Sequence, residues 1–202
     1  MTYRILLALL LCIAGLAGCA KTPKLAPLAA NATILAFGDS LTYGTGAQPA
    51  ENYPAVLATL TARQVINAGV PGETSADGRE RLDQTLNESR PALLILCMGG
   101  NDFLRKVPEA ETVENLRAML ELAKSRRIPT LLIATPRPGL GIAVPAFYAE
   151  LAKQYAIPLE AKSLEEILAS RDLKSDLIHP NATGYRQLAE AVAEVLKQAG
   201  AL

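Results

Sequence analysis

Short apolar segments alternate with amphipathic ones along most of the chain. The apolar and β-branched segments predict strands at Thr33–Phe37, Gln64–Ala68, Ala92–Met98, Thr130–Ala134 and, as a shorter one, Ile157–Leu159. Most of these segments are continuous apolar runs and do not alternate with polar residues. We therefore expect strands that are covered on both faces.

The amphipathic segments between these strands predict helices. They cover Pro49–Leu60, Ser75–Asn87, Ala110–Lys124, Pro145–Gln154, Leu164–Ala169 and Ala182–Gln198. Apolar residues in them recur at helical spacing, as Leu188, Val192 and Val195 do in the last segment. Alternation of strands and helices predicts an α/β fold, a parallel sheet with helices on both faces.

The first residues have the pattern of a secretory signal. Arg4 precedes an apolar run from Ile5 to Ala17, which is short for a membrane span and matches the apolar region of a signal peptide. The run ends in Leu16-Ala17-Gly18-Cys19, which resembles the lipobox of bacterial lipoproteins. We expect residues 1–18 to be removed and Cys19 to be acylated. An ordinary signal peptide with an incidental cysteine is the alternative.

This pattern predicts a location in the bacterial cell envelope. A lipid chain on Cys19 would anchor the protein to a membrane, facing the periplasm or the exterior, without spanning it. Residues 20–32 are rich in Ala, Pro and Lys, so we expect a tether over residues 19–32. The remaining residues, 33–202, show no internal repeat and predict one domain, which we expect to be a monomer.

Composition narrows the chemistry. Twenty Lys and Arg residues balance twenty Asp and Glu residues, so no overall field favours nucleic acid. With one histidine and three scattered cysteines, a metal site built from several imidazoles or thiolates is not expected. Cys97 lies within an apolar run, which is typical of a buried, inert thiol.

Polar clusters follow the predicted strands. Ser40 follows the first strand, Asn67–Thr74 the second, Gly99–Asp102 the third, and Asp176–Asn181 precedes the last helix. The carboxyl ends of parallel strands meet at one edge of a sheet, where ligands bind. We therefore expect these four clusters to lie together.

Together they can perform acyl transfer. Ser40 is a candidate nucleophile, His179 its base, and Asp176 the group that orients the imidazole. The backbone N–H groups of Ser40 and Gly72 and the Asn101 side chain are candidate oxyanion donors. In the alternative interpretation, each of these residues only forms a turn or caps a helix.

These motifs resemble those of a known family. Gly38-Asp39-Ser40-Leu41, Gly72 within Asn67–Thr74, Gly99-Gly100-Asn101-Asp102 and Asp176-x-x-His179 resemble, in order, the four blocks of SGNH hydrolases of the GDSL esterase/lipase group. The Gly-x-Ser-x-Gly elbow of α/β-hydrolases is absent around Ser40.

This resemblance implies a three-layer α/β/α, flavodoxin-like fold with a five-stranded parallel sheet. It also implies a triad of Ser40, His179 and Asp176, an oxyanion hole formed by Ser40, Gly72 and Asn101, and no metal or cofactor. The order of residues in Asn67–Ser75 is similar to that of bacterial arylesterases, acyl-CoA thioesterases and lysophospholipases.

The expected function is a serine esterase that hydrolyses small esters or thioesters, with aryl or short-to-medium acyl groups, and lysophospholipids among the candidates. Removal of acetyl groups from envelope glycans and a non-catalytic envelope-binding lipoprotein are the alternatives. Apolar residues in the loops 103–108 and 136–145 are candidates for the acyl pocket. Acyl-chain preference stays open.

Overall fold

The computed structural model describes residues 22–138 and 141–202. Its centre is a five-stranded, fully parallel sheet in the order β2-β1-β3-β4-β7. The strands are β1 (Thr33–Gly38), β2 (Gln64–Gly69), β3 (Leu93–Cys97), β4 (Thr130–Ile133) and β7 (Leu159–Glu160). A two-stranded hairpin, β5 (Arg137–Pro138) with β6 (Ile142–Ala143), lies outside this sheet.

Helices cover both faces of the sheet. They are α1 (Ser40–Tyr43), α2 (Tyr53–Thr61), α3 (Ser75–Ser89), α4 (Gly100–Leu104), α5 (Glu109–Ser125), α6 (Phe147–Tyr155), α7 (Ser163–Ala169) and α8 (Ala182–Ala199), with a 3₁₀ turn at Arg171–Leu173. Helices α2, α7 and α8 pack on one face, and α3, α5 and α6 on the other. The three layers confirm the predicted α/β/α fold.

Alternate residues of the central strands supply two cores. Ile34 and Ala36 of β1 face the layer that holds α8, whereas Leu35 and Phe37 face the layer that holds α5, and all four are fully buried. The residues of both cores come from the described ranges, from Leu25 to Leu202. This burial on both sides explains why the strands are uninterrupted apolar runs.

Several boundaries differ from the prediction. The second helix begins at Tyr53 and not at Pro49, because the Asn52 side chain accepts the Ala55 N–H at 2.9 Å and caps it there. The short helices α1 and α4 and the β5–β6 hairpin were not predicted, since they are too short to show a period in the sequence.

The predicted signal peptide, residues 1–18, and Cys19 lie outside the described residues. The segment predicted as a tether is held against the domain from Lys24 onward. The Leu25 and Leu28 N–H groups donate to Ala199 O and Ala201 O, both at 2.9 Å, and both side chains pack on the α8 core. Arg63 donates to Leu28 O and Ala29 O. These four hydrogen bonds and two packed side chains fix a segment that has no regular secondary structure.

Candidate active site

Ser40 is the first residue of α1, directly after β1. The preceding residue, Asp39, caps this helix, since its Oδ1 accepts the Leu41 N–H at 3.0 Å. The turn is tightly packed: a Cβ on Gly69 would lie 2.1 Å from the Tyr43 backbone nitrogen. Glycine at this position lets α1 contact the end of β2, which fixes where the serine points.

His179 and Asp176 come from the loop before α8. Asp176 Oδ1 accepts the backbone N–H groups of Ile178 and His179, each at 2.8 Å, and Asp176 Oδ2 lies 2.7 Å from His179 Nδ1. His179 Nε2 lies 3.0 Å from Ser40 Oγ. The three predicted residues therefore form one continuous chain of hydrogen bonds, although 139 positions separate the serine from the histidine.

Hydrogen bonds stabilise the ionised form of Asp176. Partial burial by itself raises the pKa of this carboxyl, but the hydrogen bonds from the His179 ring and from the Ile178 and His179 N–H groups outweigh it and lower the pKa. A carboxylate at Nδ1 stabilises the tautomer that carries its proton there. The Nε2 lone pair then faces Ser40, as a general base requires.

The candidate oxyanion donors surround the serine. Among the described residues, neither the Ser40 nor the Gly72 backbone N–H has an acceptor. Gly72 has φ +85°, the left-handed conformation that glycine favours, and its carbonyl accepts Arg105 Nη2 at 2.7 Å. Asn101 Nδ2 donates to Glu73 O at 2.8 Å. One of its two amide hydrogens is thus used for orientation, and the other makes only a long contact of 3.4 Å with Asp39 Oδ2, which an oxyanion would replace.

Sequence reasoning missed the pair that holds this donor. Arg81 binds the Glu73 carboxylate, with Nε at 2.7 Å from both oxygens, and its Nη2 donates to Gly38 O and Ala68 O. Its guanidinium also lies 4.0 Å from the Phe37 ring centre. Arg81 therefore ties together the carboxyl ends of β1 and β2 and the residue whose carbonyl orients Asn101.

Asp102 fixes the other side of the same loop. This buried carboxylate accepts the Ser75 N–H at 2.8 Å, the Ser75 hydroxyl at 2.5 Å and the Thr112 hydroxyl at 3.2 Å. It joins α4 to the starts of α3 and α5. The residue after Asn101 thereby holds the position of the candidate oxyanion donor.

Asp39 is a buried acid beside the nucleophile. Its exposure is 1 %, and its Oδ2 lies 3.4 Å from Asn101 Nδ2. Burial raises its pKa to about 7, in spite of the Leu41 N–H and the nearby His179, which lower it. The burial of Asp39 is not predictable from the sequence, because an acid that follows an apolar strand is typical of an exposed turn.

An apolar groove opens beside the Ser40–His179 contact. Its apolar walls come from α4, the hairpin and the residue before it, α7 and the histidine loop, and include Leu104, Pro136, Pro138, Ile142, Leu168 and Leu177. Of the predicted pocket residues, Leu104 and Ile142 line the groove, whereas Phe103 packs against Phe147. Leu140 lies outside the described residues. A groove of this kind accepts a hydrocarbon group next to the serine.

The remaining candidate groups are accounted for. Cys97 is buried, and burial raises the pKa of its thiol far above the ordinary value, so the thiol is inert as predicted. Residues 22–138 and 141–202 hold no cluster of three or more metal-ligating side chains. In the same ranges no helix has the length and apolar character to cross a membrane.

The fold and the site define the class of protein. It is a serine hydrolase of α/β/α fold, with a serine, a histidine and a carboxylate in contact at the carboxyl edge of a parallel sheet. Residues 36–187 match the model of the GDSL-like lipase/acylhydrolase family. The chain belongs to this family, and it is a serine esterase of the GDSL type.

Named relatives agree with this assignment. The chain is 32 % identical over 177 residues to thioesterase 1/protease 1/lysophospholipase L1 of Escherichia coli, covering 84 % of this chain and 85 % of that one. It is 32 % identical over 193 residues to esterase TesA of Pseudomonas aeruginosa, covering 90 % and 96 %. The crystal structure of AlinE4, an SGNH-hydrolase family esterase, superposes with a TM-score of 0.65 at 34 % identity and covers 84 % and 96 %.

Proposed function

We propose that this esterase acts through an acyl-enzyme on Ser40. Ser40 Oγ attacks an ester or thioester carbonyl, and His179 takes its proton and returns it to the leaving group. Asp176 stabilises the imidazolium, and water then releases the acyl group. The observation that carries this proposal is the hydrogen-bond chain from Asp176 Oδ2 to His179 Nδ1 (2.7 Å) and from His179 Nε2 to Ser40 Oγ (3.0 Å).

The oxyanion of the tetrahedral intermediate would be held by the N–H groups of Ser40 and Gly72 and by the Asn101 amide. The open N–H groups of Ser40 and Gly72 support this role, as does the orientation of Asn101 by Glu73 O. No step of this chemistry needs a metal or an organic cofactor.

The proposed substrates are small-molecule esters or thioesters with aryl or short-to-medium acyl groups, and lysophospholipids are a further candidate. The apolar lining by Leu104, Ile142 and Leu177 supports an acyl or aryl group beside the serine. The relatives in Escherichia coli, a thioesterase and lysophospholipase, and in Pseudomonas aeruginosa, an esterase, support the same range.

The test is hydrolysis of p-nitrophenyl acetate, butyrate and octanoate by residues 19–202, with Ser40→Ala as the variant. We expect a loss in kcat of about 10⁴-fold or more. Ser125→Ala makes the same chemical change at an exposed position of α5 and should keep full activity. Full hydrolysis by Ser40→Ala would overturn the mechanism. Faster release of acetate from an acetylated glycan than from these esters would favour the deacetylase alternative.

The proposed location is the cell envelope, with a lipid on Cys19 as the membrane anchor. The Leu16-Ala17-Gly18-Cys19 sequence supports it. In cells that process lipoproteins, Cys19→Ser should move the esterase from the membrane fraction to the soluble fraction. Retention of the variant on the membrane would contradict the proposed anchor.

A further inference from the structure

The edge of the sheet opposite the candidate site carries a basic surface. In a parallel sheet with antiparallel helices, the helices end at the edge where the strands begin. We define the amino-edge surface as the exposed basic side chains at this edge together with the exposed Leu60, namely Lys24, Leu60, Arg90, Lys124, Arg127, Lys153 and Lys197. All but Leu60 are cationic, and Leu60 is an exposed hydrophobic residue, with 47 % of its surface accessible.

Carboxylates also lie near this edge, each with a hydrogen-bond or ion-pair partner. Asp83 pairs with Arg126, Glu121 accepts the Tyr155 hydroxyl, and Glu88 accepts the Gln84 amide. Exposed acids gather instead at the first turns of helices and at the catalytic edge, among them Glu109, Glu111, Glu166, Asp172 and Asp176. The catalytic edge thus mixes exposed acids with exposed bases such as Arg105, Lys106 and Arg171, whereas the amino-edge surface is cationic.

Basic residues complement the dipole at a helix C-terminus, which accounts for Lys124, Lys153 and Lys197 one by one. Lys24 lies in no helix, but it complements the end of α8 in the same way, because its ammonium donates to Gln198 O at 2.7 Å. The amino-edge surface also holds an apolar groove between these cations, lined by Leu25, Leu120, Ile128, Pro129 and Ile157, with Lys124 and Arg127 beside them.

The start of the described chain lies on this surface. Thr22 and Lys24 contact Gln198, near the end of α8, and Leu25 is fixed to Ala199 O. Cys19 precedes Thr22 by three residues, which span at most about 10 Å even when fully extended. An acyl group on Cys19 would thus enter a bilayer beside the amino-edge surface.

We propose that the amino-edge surface docks on an anionic phospholipid bilayer and that the catalytic edge faces away from it. The proposal rests on the lipid anchor of the proposed function. Acyl chains on Cys19 would hold the protein at the membrane, and adjacent basic residues would add electrostatic attraction to an anionic bilayer, which fixes the orientation of the domain. Helix α8 has 18 residues and runs from the histidine loop to this surface, so about 27 Å separates its two ends.

This orientation restricts the substrate. The mouth of the groove beside Ser40 would open toward the aqueous compartment, and not toward the lipids of the anchoring leaflet. The ester then arrives as a soluble molecule or from a surface that faces the anchored enzyme.

The test is sedimentation with vesicles of phosphatidylcholine containing 30 % phosphatidylglycerol, using residues 19–202 with Cys19→Ser so that no lipid is attached. Each basic side chain near an anionic bilayer strengthens binding by about fivefold. Reversal of three charges, Lys124→Glu, Arg127→Glu and Lys197→Glu, should therefore weaken binding by about 100-fold or more. The matched control reverses three exposed charges elsewhere, Lys162→Glu, Arg171→Glu and Arg186→Glu, and should bind almost as well as the parent.

Equal binding of the parent and the amino-edge triple variant would overturn the proposal, as would an equal loss in the control. Orientation is read from a polarity-sensitive fluorophore on Leu60→Cys or Leu177→Cys, since Cys97 is buried. We expect a blue shift on vesicles for the first label alone, and a shift for the second alone would place the catalytic edge on the bilayer. Hydrolysis of p-nitrophenyl butyrate by the two charge-reversal variants separates failure of docking from failure of the esterase mechanism.

Discussion

Replacing Asp39 by Asn should change how the stability of the protein depends on pH. The carboxyl is buried, and burial raises its pKa from 3.8 to about 7. Between about pH 4 and 7 the folded protein therefore holds a proton that the unfolded chain has released. The wild-type protein loses stability as the pH rises through this window, and above about pH 7 the whole cost of the buried charge is present.

The size of this cost follows from the shift. A change of about three pKa units, at about 1.36 kcal/mol each, corresponds to about 4 kcal/mol as an upper estimate. Asparagine carries no charge at any of these pH values. The free energy of unfolding of Asp39→Asn minus that of the wild type should therefore increase from pH 4 to pH 7.5 by up to about 4 kcal/mol, whatever constant cost the new amide brings beside Asn101.

Urea unfolding followed by far-ultraviolet circular dichroism measures this difference, since the chain has no tryptophan to report by fluorescence. Curves at pH 4.5, 5.5, 6.5 and 7.5 on both proteins are sufficient. Glu88→Gln is the control, because this exposed carboxyl contributes no buried charge. A difference that stays constant over this range would refute the argument that Asp39 is a buried acid with a raised pKa.

Three further predictions concern the site and the core. Asn101→Ala should lower kcat by about 10²–10³-fold with little change in KM, because the lost amide acts on the oxyanion. Steady-state hydrolysis of p-nitrophenyl butyrate measures both constants, and a change in KM alone would assign Asn101 to substrate binding. Leu177→Ser should raise KM for the octanoate ester but not for the acetate, because this side chain lines the groove. The free energy of unfolding should stay within about 0.5 kcal/mol of the wild-type value, because the side chain is 83 % exposed. Equal effects on both esters would show that Leu177 does not contact the acyl group. Cys97 should react with a thiol reagent only after denaturation, and rapid reaction of the folded protein would contradict its burial.

The central strands were predictable from the sequence because they are buried on both faces and therefore appear as apolar runs. Ser40, His179 and Asp176 could be grouped because parallel topology places strand ends at one edge, and the structure brings their side chains into contact. The role of the Arg81–Glu73 pair could not be predicted in this way. It depends on hydrogen bonds from Arg81 to Glu73, eight positions earlier, and to carbonyls at the ends of β1 and β2.

The N-terminal segment shows the same limit of local reasoning. Residues 22–32 have the composition of a tether, yet Leu25 and Leu28 bind the end of α8, more than 170 positions away. The composition of this segment indicates that it forms no helix or strand by itself. It does not show that another part of the chain offers acceptors and an apolar surface.

Covalent labelling of Ser40 tests the central mechanism most directly. Residues 19–202 are treated with a fluorophosphonate, and the modified peptide is identified by mass spectrometry. The mechanism predicts one modification, on Ser40, that is absent in Ser40→Ala and much slower in His179→Ala, while Ser125→Ala is labelled like the wild type. Labelling at another residue, or labelling of Ser40 at the same rate without His179, would contradict a serine nucleophile activated by this histidine.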